Sequence, residues 1–563
     1  MKKKLLLLLG VSATVTGIVF ASRPERFGFG GPDFAGFPGG PGVRNRTERS
    51  IVDSYDTDAS GWLDANERQM ARKAMASDQG RRAGPGGGPI GRRGGPGHSE
   101  SLLSQTPGPN VAVNEVEAYP DKTLYDTSIL RTVFLQFEND EWESELEAFY
   151  ATDVDVPATM IVDGATYEQV GVHFRGASSF DHVSAGSKRS VNVSLDMIDE
   201  DQNIDGYKTL NLLNCHCDPS MMSSVLYSHI ARQYIPVPKA NFVHLVVNGQ
   251  SWGLYNSVQQ FDKKFLKENY DGSKGTRWKV SGSPHADGGL RYLGDDLEPY
   301  KLRFEMKSSD GKKAWAALVR LCKILNQTPS EELQSTLEPI LDIDETLKFL
   351  ALDVVLANND GYWTRASDYY LFLDKDGKFH VIPHDMNEAF ALSGPGPVGP
   401  GPGGVSGRRG PDGGPNGRGG PDPRPGAIGN FFGRLLGGPG GPRGGGPLRA
   451  QVDTDPLVDI RNDRMPLRSR LLAVPELRQR YLEYVHQMAN ESISWQHLGP
   501  VVEDYRQLIE PLVKADTRKL TSYEAFQAAA NPDTVPAEHP MSFRKFADER
   551  SAFLISACNK TGQ

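Results

Sequence analysis

Asp360 and Asp385 stand twenty-five residues apart, on either side of a stretch that reads as a β-hairpin, "DYYLFLDKDGKFHVIPHD". Asp368 opens the first strand of that hairpin, and Asn387 follows the end of the second. A hairpin returns its two ends to one side, so Asp368, Asp385 and Asn387 are expected close together. Asp360, on the loop just ahead, faces the same space. Several oxygen ligands converging there suit Mg²⁺ with a phosphorylated substrate, because the ion takes one or two carboxylates and leaves the rest to phosphate and water. Phosphoryl transfer uses such a plan: one aspartate orients the attacking hydroxyl, an amide or second acid holds one metal ion, and an aspartate beyond the next hairpin holds another. Taken singly, each acid is ambiguous, and hairpin-end aspartates are usually turn residues or caps.

A second group of oxygen ligands lies in "DTDASGWLDANE", residues 56–67. Asp56, Asp58 and Ser60 fall at positions one, three and five of the EF-hand calcium loop. Gly61 permits the turn at six, the Trp62 carbonyl serves at seven, Asp64 stands at nine and Glu67 closes the cage. Leu63, at position eight, is the apolar residue through which two such loops pair, yet no second loop is found. An acidic capping loop is the plain alternative. A solitary site of this kind is expected to bind Ca²⁺ weakly, with a dissociation constant of roughly 0.1–1 mM.

The elements that must position these groups follow from periodicity and turn pairs. "ATMIVDGATYEQVGVHFRG" alternates about Asp163-Gly164, and "ANFVHLVVNGQSWGLYNSVQ" about Asn248-Gly249, so both predict hairpins. "SVNVSLDM" predicts a strand. "PSMMSSVLYSHIARQY", "KAWAALVRLCKILNQ" and "DETLKFLALDVVLANN" carry apolar residues at helical spacing, and the last hundred residues read as helices. The fold class expected is α+β, sheet-rich first and helical later. The organisation expected is a signal peptide at 1–21, a disordered linker at 22–45 and the calcium loop with its flanking helices at 46–78. A Gly/Arg/Pro-rich linker then spans 79–110, and the ordered body is divided at 111–260, 261–392 and 448–563 around a Gly/Pro/Arg-rich insertion at 393–447.

The chain has 563 residues and a net charge of −9, which argues against a nucleic-acid partner. "MKKKLLLLLGVSATVTGIVFAS" has the order of an export signal, so a secreted or cell-envelope location is expected, with no stable membrane span if the signal is cleaved. Four cysteines are too few for a disulfide scaffold. Cys215 and Cys217 flank His216, which is a weak zinc signal beside the plainer reading of thiols near a loop.

From about Val111 to Leu554 the sequence resembles the CotH kinase family, relatives of spore coat protein H with an atypical protein-kinase-like fold. The blocks that carry the resemblance are "VGVHFRGASS", "SKRSVNVSLD", "LNLLNCHCDPSMMSSVLY", "NGQSWGLYNSVQQFDKKFL", "LANNDGYWTRASDYYLFL" and "FHVIPHDMNEAF". The resemblance implies a two-lobe fold with ATP and Mg²⁺ (or Mn²⁺) between the lobes and a phosphotransferase acting on hydroxyls of exported, coat or envelope proteins. Asp360 matches the catalytic-loop aspartate and Asp385 the metal aspartate, with Asp368 and Asn387 beside it. Arg175, Gly176, Ser178 and Ser179 would approach the nucleotide phosphates, Lys188 or Arg189 would contact them, and the strand ending at Gln259 would form the adenine hinge. The family usually reads Trp-Asp-x-Asp where this chain has His384-Asp385-Met386-Asn387, and commonly has asparagine where Asp368 stands. An Arg-Glu pair common in the helix after "DPS" is Ser223-Ser224 here, and Gln259 replaces a usual glutamate. Exchanging Asp and Asn between neighbouring positions conserves the total ligand charge. The alternatives are transfer of AMP or amino acids, or a non-catalytic calcium-stabilised envelope or adhesion protein on a dead kinase scaffold.

Overall fold

The computed structural model describes residues 48–82, 106–280, 282, 288–308, 311–392, 451–531 and 541–561. The expected signal peptide, the linker at 22–45 and the insertion at 393–447 lie outside the described residues.

The chain opens with a single turn, α1 (Val52–Tyr55), then the acidic loop and α2 (Ala65–Arg82). The turn is shorter than the helical segment expected ahead of a calcium loop; Asp153 accepts from the N–H groups of Ile51 and Val52 at 2.7 and 3.1 Å, which fixes its start. Next come β1 (Arg131–Gln136), α3 (Trp142–Ala148), β2 (Val156–Val162), β3 (Ala165–Phe174), α4 (Ser178–Asp181), β4 (Val191–Ser194) and β5 (Thr209–Leu213). Helix α5 (Ser223–Ala231) precedes β6 (Ala240–Val247) and β7 (Gln250–Gln259).

These seven strands close into a barrel in the order β1-β2-β3-β4-β5-β7-β6, a closure that sequence periodicity did not reveal. Every ladder in it is antiparallel except β1 with β6. The hairpin turns fall where the Asp-Gly and Asn-Gly pairs placed them: Val162 pairs with Ala165, and Val247 with Gln250. Asp163, Gly164, Asn248 and Gly249 all have positive φ, as that turn requires. Inward residues such as Val133, Val170, Val172, Val193 and Leu245 fill the interior. Residues 106–110, expected within a linker, are instead hydrogen-bonded to the β6–β7 hairpin: Ser251 N–H donates to the Pro109 carbonyl at 2.9 Å, and Val111 N–H to that of Gly249 at 2.8 Å.

Further along run α6 (Lys263–Asn269), β8 (Gly275–Val280), α7 (Glu298–Lys301), β9 (Glu305–Met306), α8 (Lys312–Gln327), α9 (Ser330–Leu337), α10 (Ile343–Val355) and α11 (Tyr362–Arg365). The third hairpin is β10 (Tyr369–Asp374) and β11 (Phe379–Pro383), and it joins a second sheet in the order β11-β10-β8-β9. Helices α12 (Pro466–Leu471), α13 (Pro475–Glu491), α14 (Trp495–Ala515), α15 (Tyr523–Ala530) and α16 (Phe543–Thr561) complete the described chain. The molecule is therefore α+β. One large core joins α5, the outer face of β6, the second sheet and the C-terminal helices, while a second core fills the barrel.

The acidic loop belongs to the barrel's core. Val52, Leu63 and Ala71 are buried among the barrel residues, and Leu63 is 1% exposed. Arg68 forms a buried ion pair with Glu145 of α3 at 2.9 Å. Leu63 thus finds its apolar partners in the barrel.

Candidate functional site

The hairpin β10–β11 delivers its ends as its register dictates. Tyr369 pairs with Pro383, which brings Asp368 opposite His384, and the His384 N–H donates to the Asp368 carbonyl at 3.1 Å. Asp368 and Asp385 both have φ near +57°, a left-handed conformation that an ordinary side chain adopts at a cost. Asp360 arrives from the loop between α10 and α11 and forms an ion pair with Arg365, which also lies 3.6 Å from Glu388. The three acids expected to converge, Asp360, Asp368 and Asp385, do so and act on one another's ionisation.

Burial is the main force on Asp360 and Asp368 and pushes both carboxyls above the ordinary carboxylate range, while the Asp385 side chain is exposed; at Asp360 the charges of Glu388, Asp368 and Asp385 push the same way. The opposing cations are Arg365, Arg175 and Lys279. Arg175 ends the strand-to-loop turn after β3, is buried, and interacts with Tyr370 and Asp385. Lys279, on β8 beside Tyr370, is pushed down to about 8 by burial first and by Lys307 next. Ionisable groups of both signs packed this closely make the hairpin ends a candidate functional site.

The oxygens that could take up a divalent cation are those of Asp360, Asp368, Asp385 and Glu388. Among the described residues no three of these acids have ligand oxygens within 4.8 Å of one another. Asn387 supplies a further oxygen: its Oδ1 is buried without a hydrogen-bond partner among the described residues, while its Nδ2 reaches the His216 carbonyl at 3.5 Å.

The remaining expected nucleotide contacts divide. Gly176 has φ +93°, and a Cβ there would meet Ser179 Oγ at 2.1 Å, so the turn after Arg175 needs glycine. Ser178 begins α4. Lys188 is 1% exposed and bonded to Asp516, at the end of α14, at 2.8 Å. Arg189 donates twice to the Val183 carbonyl, at 3.1 and 3.0 Å, and lies over the Phe180 ring. Gln259 donates to Glu268 at 2.9 Å and accepts from the Lys239 N–H at 3.1 Å. These three are engaged with the framework. Lys279, Arg365 and Glu388 were not singled out from the sequence. Lys279 lies in "GTRWKV", a run whose alternating cations mark one face of a strand, and Arg365 lies within the block "LANNDGYWTRASDYYLFL".

In the acidic loop, Asp56, Asp58 and Glu67 have oxygens within 4.8 Å of one another. Asp56 accepts from the N–H groups of Ser60 at 3.0 Å and Gly61 at 2.7 Å, and Glu67 from those of Thr57 at 2.6 Å and Asp64 at 2.9 Å. Ser60 Oγ donates to the Trp62 carbonyl at 2.9 Å, and Asp64 caps α2 by accepting from the Glu67 N–H at 2.9 Å. Cys215 and Cys217 do not form a metal site with His216: Cys215 is buried, Cys217 is exposed, and neither belongs to a metal-competent group among the described residues.

Residues 172–554 match the family described as CotH kinase protein, which covers more than half of the chain, and the chain belongs to that family. Invasin CotH3 of Rhizopus delemar is 23% identical over 287 residues, 49% of this chain and 46% of that protein. Inner spore coat protein H of Bacillus subtilis is 24% identical over 259 residues, 43% of this chain and 64% of that protein. The chain thus spans about half to two thirds of the length of these relatives.

Proposed function

We propose that the chain is a Mg²⁺-dependent (or Mn²⁺-dependent), ATP-using phosphotransferase that modifies hydroxyl groups of proteins at a coat, envelope or cell surface. The observation that carries this reading is the meeting of the buried Asp360, Asp368, Arg175 and Lys279 with the half-buried Arg365 and the exposed Asp385 at the ends of one hairpin. In this reading the barrel and the second sheet are the two lobes of a kinase-like fold. Asp360 orients the acceptor hydroxyl and takes its proton, while Arg175 and Lys279 offset phosphate charge. Asp385, Asp368 and the Oδ1 of Asn387 would hold the metal ion, which would supply positive charge beside the phosphates. In this reading the loop at 56–67 takes up Ca²⁺ and the expected export signal would direct the chain out of the cytoplasm; relatives named for a spore coat and for invasion support a surface location.

The test is transfer of label from ATP to proteins of the producing cell's coat or envelope in the presence of Mg²⁺. Asp385→Ala is expected to reduce transfer by about 10³-fold or more; a variant that transfers label as well as the parent defeats the reading. A non-catalytic adhesion role is favoured by one observation, the burial of Lys188 against Asp516. It predicts that neither ATP nor Mg²⁺ raises the melting temperature while Ca²⁺ does. Transfer of AMP or amino acids is separated from phosphate by the mass added to the modified protein.

A further inference from the structure

Asp353 is a buried acid that the chemistry above does not use. It lies on α10, 1% exposed, seven residues ahead of Asp360. Its neighbours are neutral. Asn358 Nδ2 donates to Oδ1 at 3.2 Å, the Tyr227 hydroxyl of α5 stands 3.5 Å away, and the N–H groups of Tyr362 and Trp363 face the carboxyl. Oδ2 makes no complete hydrogen bond among the described residues. A Cβ on Gly361 would lie 2.4 Å from Oδ2, so the backbone after Asp360 rests directly on this carboxyl.

An acid buried without a cation is expensive, and an apolar side chain would fill the same space in α10 at no such cost. The hydrogen bonds show what the acid does instead. Asn358, held by Asp353, offers its Oδ1 to the Asp360 N–H at 3.3 Å, and the Asn358 carbonyl accepts from Trp363 Nε1 at 2.7 Å. The loop around Asp360 is therefore pinned from below at Asn358, Gly361 and Trp363. Tyr227 brings α5 to the same carboxyl.

We propose that Asp353 is a positioning residue: through Asn358 and the backbone at 361–363 it sets the place of Asp360, and through Tyr227 it ties that loop to α5. The proposal rests on the reading of Asp360 as the group that orients the acceptor hydroxyl. A misplacement of about 1 Å at such a group costs about a hundredfold in rate.

The experiment uses the full chain with Ca²⁺ present and compares Asp353→Asn, Asn358→Ala and Tyr227→Phe with the parent. For Asp353→Asn, kcat for label transfer from ATP is expected to fall by about ten- to a hundredfold. The Kd for an ATP analogue with Mg²⁺ is expected to stay within about twofold and the melting temperature within a few degrees, as for a group acting on orientation alone. Tyr227→Phe gives a smaller loss that does not add to that of Asp353→Asn, because the two act through one contact. A lower melting temperature with unchanged kcat per folded molecule overturns the proposal, since that is what a merely structural acid would show. If Asp353→Asn does not fold, Asn358→Ala carries the same comparison. If the parent itself transfers nothing, the phosphotransfer reading falls on its own, and amide exchange then decides. Faster exchange confined to residues 358–363 in Asp353→Asn supports positioning, and unchanged exchange there overturns it.

Discussion

Lys188 and Lys279 are both buried lysines, and their surroundings differ. Lys188 has a dedicated carboxylate, Asp516, which also accepts from the Leu254 and Arg518 N–H groups at 3.3 and 2.8 Å. Removing that acid strands a charge inside the protein. Asp516→Ala is expected to cost ~3–5 kcal/mol in denaturant unfolding, and the double change Lys188→Met with Asp516→Leu to recover most of it. Lys279 instead has charges of both signs about it, the cations Lys307 and Arg175 against the acids Glu305 and Asp368. Lys279→Met should weaken ATP binding by about tenfold or more in calorimetry, with little change in melting temperature; an unchanged Kd removes Lys279 from the phosphate site. The acids of the site were legible in the sequence because a single hairpin, with its turn at Asp376-Gly377, carries Asp368 and Asp385 to one place. Lys279 was not, because β8 lies some ninety residues earlier and only sheet pairing brings it there. Lys188 next to Arg189 looked like a phosphate contact, since nothing local announces a partner 328 residues away.

At the scale of elements, the hairpin β10–β11 is clamped at its far end by one histidine. His380 bonds Glu345 of α10 at 3.0 Å through Nδ1 and Asp374 of β10 at 3.2 Å through Nε2. Burial alone would push His380 down, but its bonds and charges with Glu345 and Asp374 outweigh this and hold it above 6.5. A group raised on folding contributes stability that is full below its unfolded value, near 6.5, and is lost as pH rises through the folded value. Denaturant unfolding across pH 6 to 9 should therefore show stability falling with pH, and His380→Gln should flatten that dependence. The hairpin itself was readable from its alternation and turn. The barrel was not, since closure depends on β1 meeting β6 in parallel, a pairing between segments more than a hundred residues apart that no local pattern encodes. The turn α1 was overestimated for a related reason: Ile51, Val52 and Tyr55 are apolar because they face the barrel's core, and helical spacing was only one way to satisfy that.

For the molecule as a whole, the acidic loop and the barrel form one unit. Ca²⁺ in the millimolar range should raise the melting temperature of the entire barrel, and Glu67→Gln should abolish the rise; a rise that survives Glu67→Gln means that the ion binds elsewhere. Leu63→Ala removes buried apolar surface from the same core and is expected to cost ~2–5 kcal/mol in unfolding of the barrel. That shared core also governs how the protein can be handled. A recombinant version starting at residue 106 would leave bare the barrel surface that Val52, Leu63 and Ala71 cover, and would strand Glu145 without Arg68. Shortened proteins of that kind should aggregate during purification, so their loss of activity would say nothing about calcium. Single changes at Asp56 or Glu67 in the uncut chain are the way to ask whether the loop takes up Ca²⁺.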